Sequence, residues 1–507
     1  MSAERLAAGF GDFTDLVREN ARRRPQRAAL VLGDRVIDYR SLDARVDRVG
    51  AALQHGGVKP RDAVAICAGT SIEYLVAFLA CLRVGAAAAL VSPYVPIATI
   101  ARMIEDAGAR IAFCDAQTVT SLGDADAKVS AEVLAIERLG DYGSAGARPA
   151  PVELQPDWPF NIIYSSGTTG EPKGIVQPHS MRWTHLQRGP VYGYDDNTVT
   201  LISTPLYSNT TLVSVFPTLA LGGTVVLMPK FDAGEYLALA QRHHVTHTML
   251  VPVQYRRIMA REDFARFDLS AFRVKFSTSA PFAAALKEDI LARWPGGLVE
   301  LYGMTEGGGT CVLAAHVDRH KLHTVGKPAP NTELRILDDA GREVPKGESG
   351  EIVGRSPAMM TGYHRQPELT RRALWHDPDG KPFIRTGDVG HFDEDGFVVL
   401  VDRKKDMIIS GGFNVYSSDL ESVVAKHPGV ADVAVVGVQS ERWGETPVAF
   451  VVPRRDTQLD AKALLSWAND QLGKVQRISD VRFVDELPRS PIGKVLKREL
   501  RDAYAIG

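Results

Sequence analysis

The stretch "FNIIYSSGTTGEPKGIVQPHS", Phe160 to Ser180, joins an apolar run to a cluster of hydroxyls and glycines that ends on one lysine, Lys173. "FNIIYSS" reads as a buried strand with the glycines directly behind it. In sheets built from βαβ units, ligands sit beyond the carboxyl ends of the strands, on the loops leading out of them. Glycines let backbone N–H groups approach anionic oxygens, hydroxyls add donors, and a lysine adds a compact positive charge. The stretch therefore reads as a phosphate-holding loop, with a solvated Ser/Gly turn as the bland alternative. It is not a Walker loop. The order Gly167-Thr168-Thr169-Gly170-Glu171-Pro172-Lys173-Gly174 breaks the GxxxxGK[ST] spacing.

On both sides of the loop, from Asp62 to about Tyr302, short apolar runs such as "AVAICA", "VTLIST", "TVVLM", "THTMLV" and "LVELYG" alternate with helical stretches such as "DAGEYLALAQRHH". That alternation predicts an α/β fold with largely parallel sheets in a large N-terminal domain. Between about residues 324 and 400 turns come often ("DDAGRE", "KGESG", "DPDGKP", "DEDG") and strands are short, which predicts an antiparallel β subdomain. After "DRKKDM" the order helix, strand, strand, helix, strand, basic helix predicts a small α+β domain, with the boundary at Asp402. The expected domains are thus 1–401 and 402–507.

The bulk numbers exclude several classes. With 59 Lys and Arg against 61 Asp and Glu in 507 residues, the net charge of −2 offers nucleic acid no basic excess. The four cysteines are far apart with no CxxC pair, so the chain reads as a reduced intracellular protein without a cysteine zinc site. The charged N-terminus lacks the apolar core of a signal peptide. "YLVAFLACLRVGAAAALV" is interrupted by Arg83 and Gly85, and reads as a buried helix then a buried strand, not as a membrane span. A cytoplasmic location is the expectation.

The string "SSGTTGEPKG" resembles the phosphate loop of the adenylate-forming superfamily, which includes acyl-CoA synthetases, peptide-synthetase adenylation domains and firefly-type luciferases. Four further motifs of that family occur in order along the chain: "ELYGMTE" at 300–306, "RTGD" at 385–388, "DRKKDMIISGGFNVYSSDLE" at 402–421 and "PRSPIGK" at 488–494. The resemblance runs from roughly residue 30 to the end and implies the family's fold, including a mobile C-terminal domain. It implies an ATP-dependent ligase that activates a carboxylic acid as acyl-AMP with release of pyrophosphate. The acyl group then passes to the thiol of coenzyme A. The alternative is a stand-alone adenylation enzyme that loads a carrier-protein thiol.

The resemblance also implies roles for individual residues. Ser165, Ser166, Gly167, Thr168, Thr169, Gly170 and Lys173 cradle the β- and γ-phosphates. Glu306 coordinates magnesium, and Thr305 donates to phosphate. Tyr302 stacks on adenine, with Ala280 and Pro281 on the other side and Glu300, Gly303 and Met304 in the same motif. Asp388 holds the ribose hydroxyls, backed by Arg403. Lys494 is the catalytic lysine, reaching between the carboxylate and the α-phosphate. The helix after it carries Lys497, Arg498 and Arg501, which read as solvated. Asp402 is the hinge. Gly411 and Gly412 leave room for the pantetheine arm, while Trp443 and Arg477 are candidates for the nucleotide end of coenzyme A.

The acyl pocket draws on Tyr207, Ser208, Asn209, Gly308 and Gly309. Aryl and short-chain ligases carry a histidine where Ser208 stands here. Ser208 and Asn209 either hydrogen-bond a hydroxylated acyl group, widen the entrance or cap the following helix. Gly307 to Gly309 suggest space around the acyl group. Two further departures are Ser279, in place of the family's glycine before Ala280-Pro281, and "VQRISD", in place of an aromatic residue and K-x-P. The expected cofactors are ATP, Mg2+ and coenzyme A. The expected partner is a small carboxylic acid, with no nucleic acid, no membrane span and homodimerisation left open.

Overall fold

The structure, a computed structural model, describes residues 5–124, 129–165, 172–404, 406–410, 413–440, 443–455, 457–473, 476–490 and 493–506. The chain forms two compact units. One comprises Met1–Leu322, Ala329–Glu333 and Gly354–Ile384; the other comprises His323–Pro328, Leu334–Val353 and Arg385–Gly507. The α/β class is as expected.

The first unit contains two sheets. One runs in the order Cys311–Ala314, Gly297–Tyr302, Val274–Ser277, His247–Leu250, Val199–Ile202, Thr224–Leu227, Ala28–Leu32, Arg35–Asp38. Its inner pairings are parallel, and the strands Cys311–Ala314 and Arg35–Asp38 join antiparallel. The other, seven-stranded, runs Gly362–Tyr363, Lys173–Pro178, Pro159–Ser165, Ala87–Leu90, Ala63–Cys67, Ile111–Cys114, Glu132–Ala135. Parallel strands covered on both faces are apolar at every position, and Ala63–Cys67 and Ala87–Leu90 are buried throughout.

One apolar cluster ties Val64, Ile66 and Leu90 of the second sheet to Leu30, Val225 and Leu227 of the first. The helices Phe13–Arg23, Tyr39–His55, Ile72–Arg83 and Asn209–Leu221 supply the rest of it. Phe216 is its hub, with ring centroids of Phe13, Phe160 and Phe78 at 5.0, 5.3 and 5.4 Å. Asp12, Asp38 and Ser71 cap three of these helices with side-chain oxygens. The stretch interrupted by Arg83 is the expected buried helix and strand, and among the described residues no helix is long and apolar enough to cross a membrane. Arg83 remains inside because Asp43, at 2.8 Å, and Asp47 pair with it.

In the second unit the segment after Asp402 forms the elements its sequence predicts. These are helix Ser417–Val424, strands Val430–Ser440 and Gly444–Pro453, helix Ala461–Asn469, strand Asp480–Phe483 and helix Lys497–Ile506. Side chains alternate across this sheet with a period of two. Val435, Ala449 and Val451 face one helix-covered core, while Ala434, Val436, Val448 and Phe450 face another that includes Leu500.

Two of the motifs are set by strands. The glycine-rich loop is not followed by a helix: Pro159–Ser165 and Lys173–Pro178 pair antiparallel, with Ser165 opposite Lys173. The loop is the connection of a β-hairpin. "RTGD" lies inside the eleven-residue strand Pro382–Phe392. The apolar alternation of that strand is broken by Arg385, Thr386 and Asp388, so it does not read as a strand.

Candidate active site

Ser166, Gly167, Thr168, Thr169 and Gly170 of the expected phosphate loop lie outside the described residues, as do Gly411 and Gly412. The base of the hairpin is well defined. Gly174 packs so closely that an added Cβ would come within 2.9 Å of Ile162, and its carbonyl accepts from the His364 N–H at 2.7 Å. Tyr164, opposite Gly174, donates its hydroxyl to Asp106 at 2.6 Å. Burial and that carboxylate push the phenol upward, so it stays protonated. Lys173 opens the returning strand and is partly exposed.

The second wall is the loop after Gly297–Tyr302, which ends on Tyr302 and continues through Gly303, Met304, Thr305 and Glu306. The Glu306 carbonyl accepts from the Met360 N–H at 2.8 Å, and its Oε1 accepts from the Tyr363 hydroxyl at 2.9 Å. Gln177 Nε2 donates to the Thr305 carbonyl at 2.6 Å. Glu300, expected with the nucleotide residues, has its carboxylate elsewhere: it is buried in an ion pair with Lys287 of helix Ala284–Arg293. Burial pushes Glu300 up to about 7, and Lys287 opposes that shift.

The glycines after Glu306 correct the expectation of space. Gly307 and Gly308 have φ of 78° and 83°, conformations that side-chain-bearing residues rarely adopt. An added Cβ would lie 2.0 Å from the Ala358 carbonyl oxygen at Gly307 and 2.6 Å from that of Gly354 at Gly308. They are glycine because another strand of backbone fills the place of a side chain. Gly309 continues the turn, donating to the Gly307 carbonyl at 3.1 Å.

Ala280 and Pro281 lie on the loop between Val274–Ser277 and Ala284–Arg293, behind Ser279 at φ 79°. The left-handed backbone suited to glycine is therefore kept with a serine. The Ser279 hydroxyl and that of Thr210 share a hydrogen bond of 2.7 Å, which offsets the strain. Thr210 belongs to helix Asn209–Leu221, which follows Tyr207 and Ser208. Ser208 is at the N-cap but makes no side-chain cap bond. The Asn209 oxygen instead accepts from Arg182 at 2.8 Å, so neither side chain caps this helix. Arg182, Gln177 and Tyr363 carry no motif. The one sequence signal is a cation between Met181 and Trp183, two buried neighbours.

In the second unit Asp388 pairs across the ladder with Arg403, whose Nε lies 3.1 Å from its Oδ1. Asp402 caps a helix from outside it: Oδ2 accepts from the Ser417 hydroxyl at 2.8 Å and the Ser418 N–H at 3.2 Å. Lys494 follows Gly493 at φ 77°, and its carbonyl accepts from the Ser490 N–H at 2.8 Å. Arg489 braces this turn by donating to the Gly493 carbonyl at 2.7 Å and to Asp432 at 2.6 Å. The reading of Lys497 and Arg501 as solvated is corrected. Lys497 lies 2.7 Å from Glu421 and also donates to Ser417, while Arg501 pairs with Asp406 at 3.0 Å. Burial raises Glu421, and Lys497 draws it back. Trp443 is 47% exposed. Arg477 is exposed.

Paired α/β sheets joined in one chain to an α+β unit match the architecture implied by the resemblance to the adenylate-forming class. The chain belongs to the AMP-binding enzyme family: that family's signature matches residues 17–364, and the signature of the AMP-binding enzyme C-terminal domain matches 419–494. It is 33% identical to the indoleacetate–CoA ligase of Aromatoleum aromaticum, over 97% of this chain and 98% of that one. A feruloyl-CoA synthase of Amycolatopsis is 34% identical, over 96% and 97%. The ATP-bound crystal structure of MatB from Rhodopseudomonas palustris superposes with a TM-score of 0.88 at 31% identity, over 97% and 99%. The resemblance to the adenylate-forming superfamily holds.

Two outcomes are expected. Gly307→Ala loses at least ~2 kcal/mol of stability in urea unfolding, through its positive φ and the Ala358 carbonyl. An unchanged midpoint would refute the close approach. Folded Glu300 keeps its proton up to about pH 7, whereas the unfolded chain releases it near 4.5, so stability falls as pH rises through that window. Glu300→Gln flattens this slope between about pH 5 and 7.5. Parallel slopes for variant and parent would refute the assignment.

Proposed function

We propose that this protein is an ATP-dependent carboxylic acid–CoA ligase. The observation that carries the reading is the alignment of acid–CoA ligases over 96–97% of the chain, together with Lys494, Glu306 and Asp388 at the motif positions. The relatives' names put aryl acids such as arylacetates and cinnamates first among candidate substrates.

A carboxylate resists nucleophiles because of its charge, and oxide is a poor leaving group. In the first half-reaction a carboxylate oxygen forms a bond to the α-phosphorus of ATP, and the bond to the β-phosphate oxygen breaks with loss of pyrophosphate. Such a step calls on the protein for positioning and charge neutralisation. Lys173 and the hairpin loop hold the outer phosphates, Tyr302 and Ala280-Pro281 flank adenine, and Asp388 accepts from the ribose hydroxyls beside Arg403. Magnesium, implied by the family, suits Glu306: Oε1 is taken by Tyr363 and Oε2 has no partner among the described residues. Magnesium binds through one or two carboxylates together with phosphates and waters. Bound there, it supplies charge neutralisation for the phosphates. Lys494 holds the like-charged carboxylate and phosphate oxygens together. In the second half-reaction rotation at Asp402 withdraws Lys494, and the thiolate of coenzyme A displaces AMP from the acyl carbon. The use of ATP and coenzyme A argues for a cytoplasmic enzyme.

The test is pyrophosphate release across arylacetates, cinnamates, benzoates and branched or hydroxy acids, with detection of acyl-CoA as the second readout. Acyl transfer to a carrier-protein thiol with none to free coenzyme A would replace this reading by the carrier-loading one. Lys494→Ala lowers adenylate formation about a hundred- to a thousandfold and still converts a supplied acyl-adenylate to thioester. Equal loss of both halves would refute the role.

A further inference from the structure

Arg182, on helix His179–Gln187, is 1% exposed. Its Nε donates to Asn161 Oδ1 at 3.0 Å, one terminal nitrogen donates to Asn209 Oδ1 at 2.8 Å, and the other donates to Gln177 Oε1. The rings of Phe216 and Phe160 lie 5.5 and 5.9 Å from the guanidinium carbon. Among the described residues every hydrogen-bond partner is a neutral carboxamide, and no ion pair includes Arg182. A lone buried cation is a poor route to stability, because well-packed apolar side chains would serve better. What the cluster does provide is orientation.

A guanidinium only donates, so each carboxamide must turn its oxygen to Arg182 and its N–H2 away. Asn161 Nδ2 then reaches Gln177 Oε1 at 2.9 Å, and Gln177 Nε2 reaches the Thr305 carbonyl at 2.6 Å. Asn209 is the exception. Its Nδ2 donates to nothing among the described residues, and the residue is partly exposed. It opens helix Asn209–Leu221 directly after Tyr207 and Ser208. The adjacent positive charge polarises the amide and makes its outward N–H2 a stronger donor.

We propose that Asn209 is a specificity-determining residue, which donates a hydrogen bond from Nδ2 to an oxygen acceptor of the bound acid, and that Arg182 is the positioning residue that prevents its carboxamide from turning over. The inference rests on the acid–ligase reading and adds a substrate property to it. The acceptor is either the reacting carboxylate or a hydroxyl, alkoxy or carbonyl oxygen on the acyl group. A purely hydrocarbon surface at this point would leave two donors unpaired, which polar sites reject.

Asn209→Asp separates this role from a structural one. Aspartate keeps an oxygen on Arg182 and gives it a counter-ion, so folding is retained and the melting temperature does not fall. The outward donor becomes an acceptor. KM is measured for matched acids with and without the oxygen substituent, and for ATP, alongside binding of the same acids by thermal shift without ATP. The expected result is an acid KM raised about ten- to a hundredfold, with the KM for ATP little changed. A loss confined to oxygen-bearing acids assigns the contact to the substituent; an equal loss for all acids assigns it to the carboxylate. Arg182→Met, which frees the carboxamide, produces a smaller loss of the same kind. Unchanged acid KM and acid binding in a folded Asn209→Asp protein would overturn the proposal. Absence of pyrophosphate release from the parent enzyme with every acid would sink the ligase reading instead, and the binding arm would still decide on Asn209.

Discussion

A buried positive charge with no negative partner among the described residues organises the centre of the first unit. Arg182 lies beneath three carboxamides that come from three places in the chain: the outgoing strand of the glycine hairpin, its returning strand, and the first residue of helix Asn209–Leu221. Through Gln177 the same cluster holds the Thr305 carbonyl. The hairpin base, the start of helix Asn209–Leu221 and the loop carrying Glu306 are thereby fixed to one another. Each amide oxygen is satisfied only while Arg182 keeps its place, so the cluster resists partial rearrangement. Rigidity of this kind suits a reaction whose main demand is the alignment of anions.

The sequence carried the repeating parts of this architecture well. Short apolar runs alternating with helical stretches marked strands and helices of the large sheets, and five short motifs marked the family. Patterning was weaker wherever function replaced burial. The strand holding Asp388 was hidden because Arg385, Thr386 and Asp388 interrupt its apolar alternation, although its ladder to Val398–Arg403 forms all the same. Gly307 and Gly308 looked like open space. In sequence, a glycine required by a close backbone approach is identical to one that leaves a gap, and only the Ala358 and Gly354 carbonyls tell them apart. Ser279 shows the converse: a left-handed position survives the loss of its glycine because a hydroxyl bond to Thr210 compensates. Arg182 was illegible because three-dimensional proximity alone brings residues 161, 177, 182 and 209 together.

The second unit obeys the same logic on a smaller scale. Lys494 stands on a turn held by Arg489 and followed by helix Lys497–Ile506. That helix is anchored through Lys497 to Glu421 and Ser417, and Ser417 in turn bonds Asp402. A run of basic residues that reads as a solvated face thus connects the lysine-bearing turn to the proposed pivot by direct bonds. Charge runs are ambiguous in sequence because a solvated lysine and a paired one are written alike. Here the partners come from about 80 residues earlier in the chain.

The pairing of Gly362–Tyr363 with the returning hairpin strand has a consequence for how the enzyme comes to exist. Thr361 reaches back 185 residues to the Val176 carbonyl, and Tyr363 supplies the hydroxyl that steadies Glu306. Loop closure over such a separation is slow and must wait until the bulk of the first unit has been synthesised. A nascent chain therefore gains the last edge strand of its seven-stranded sheet and the brace on Glu306 in the same step. The carboxylate of Glu306 is thus steadied only once the segment 185 residues beyond Val176 has closed the sheet edge.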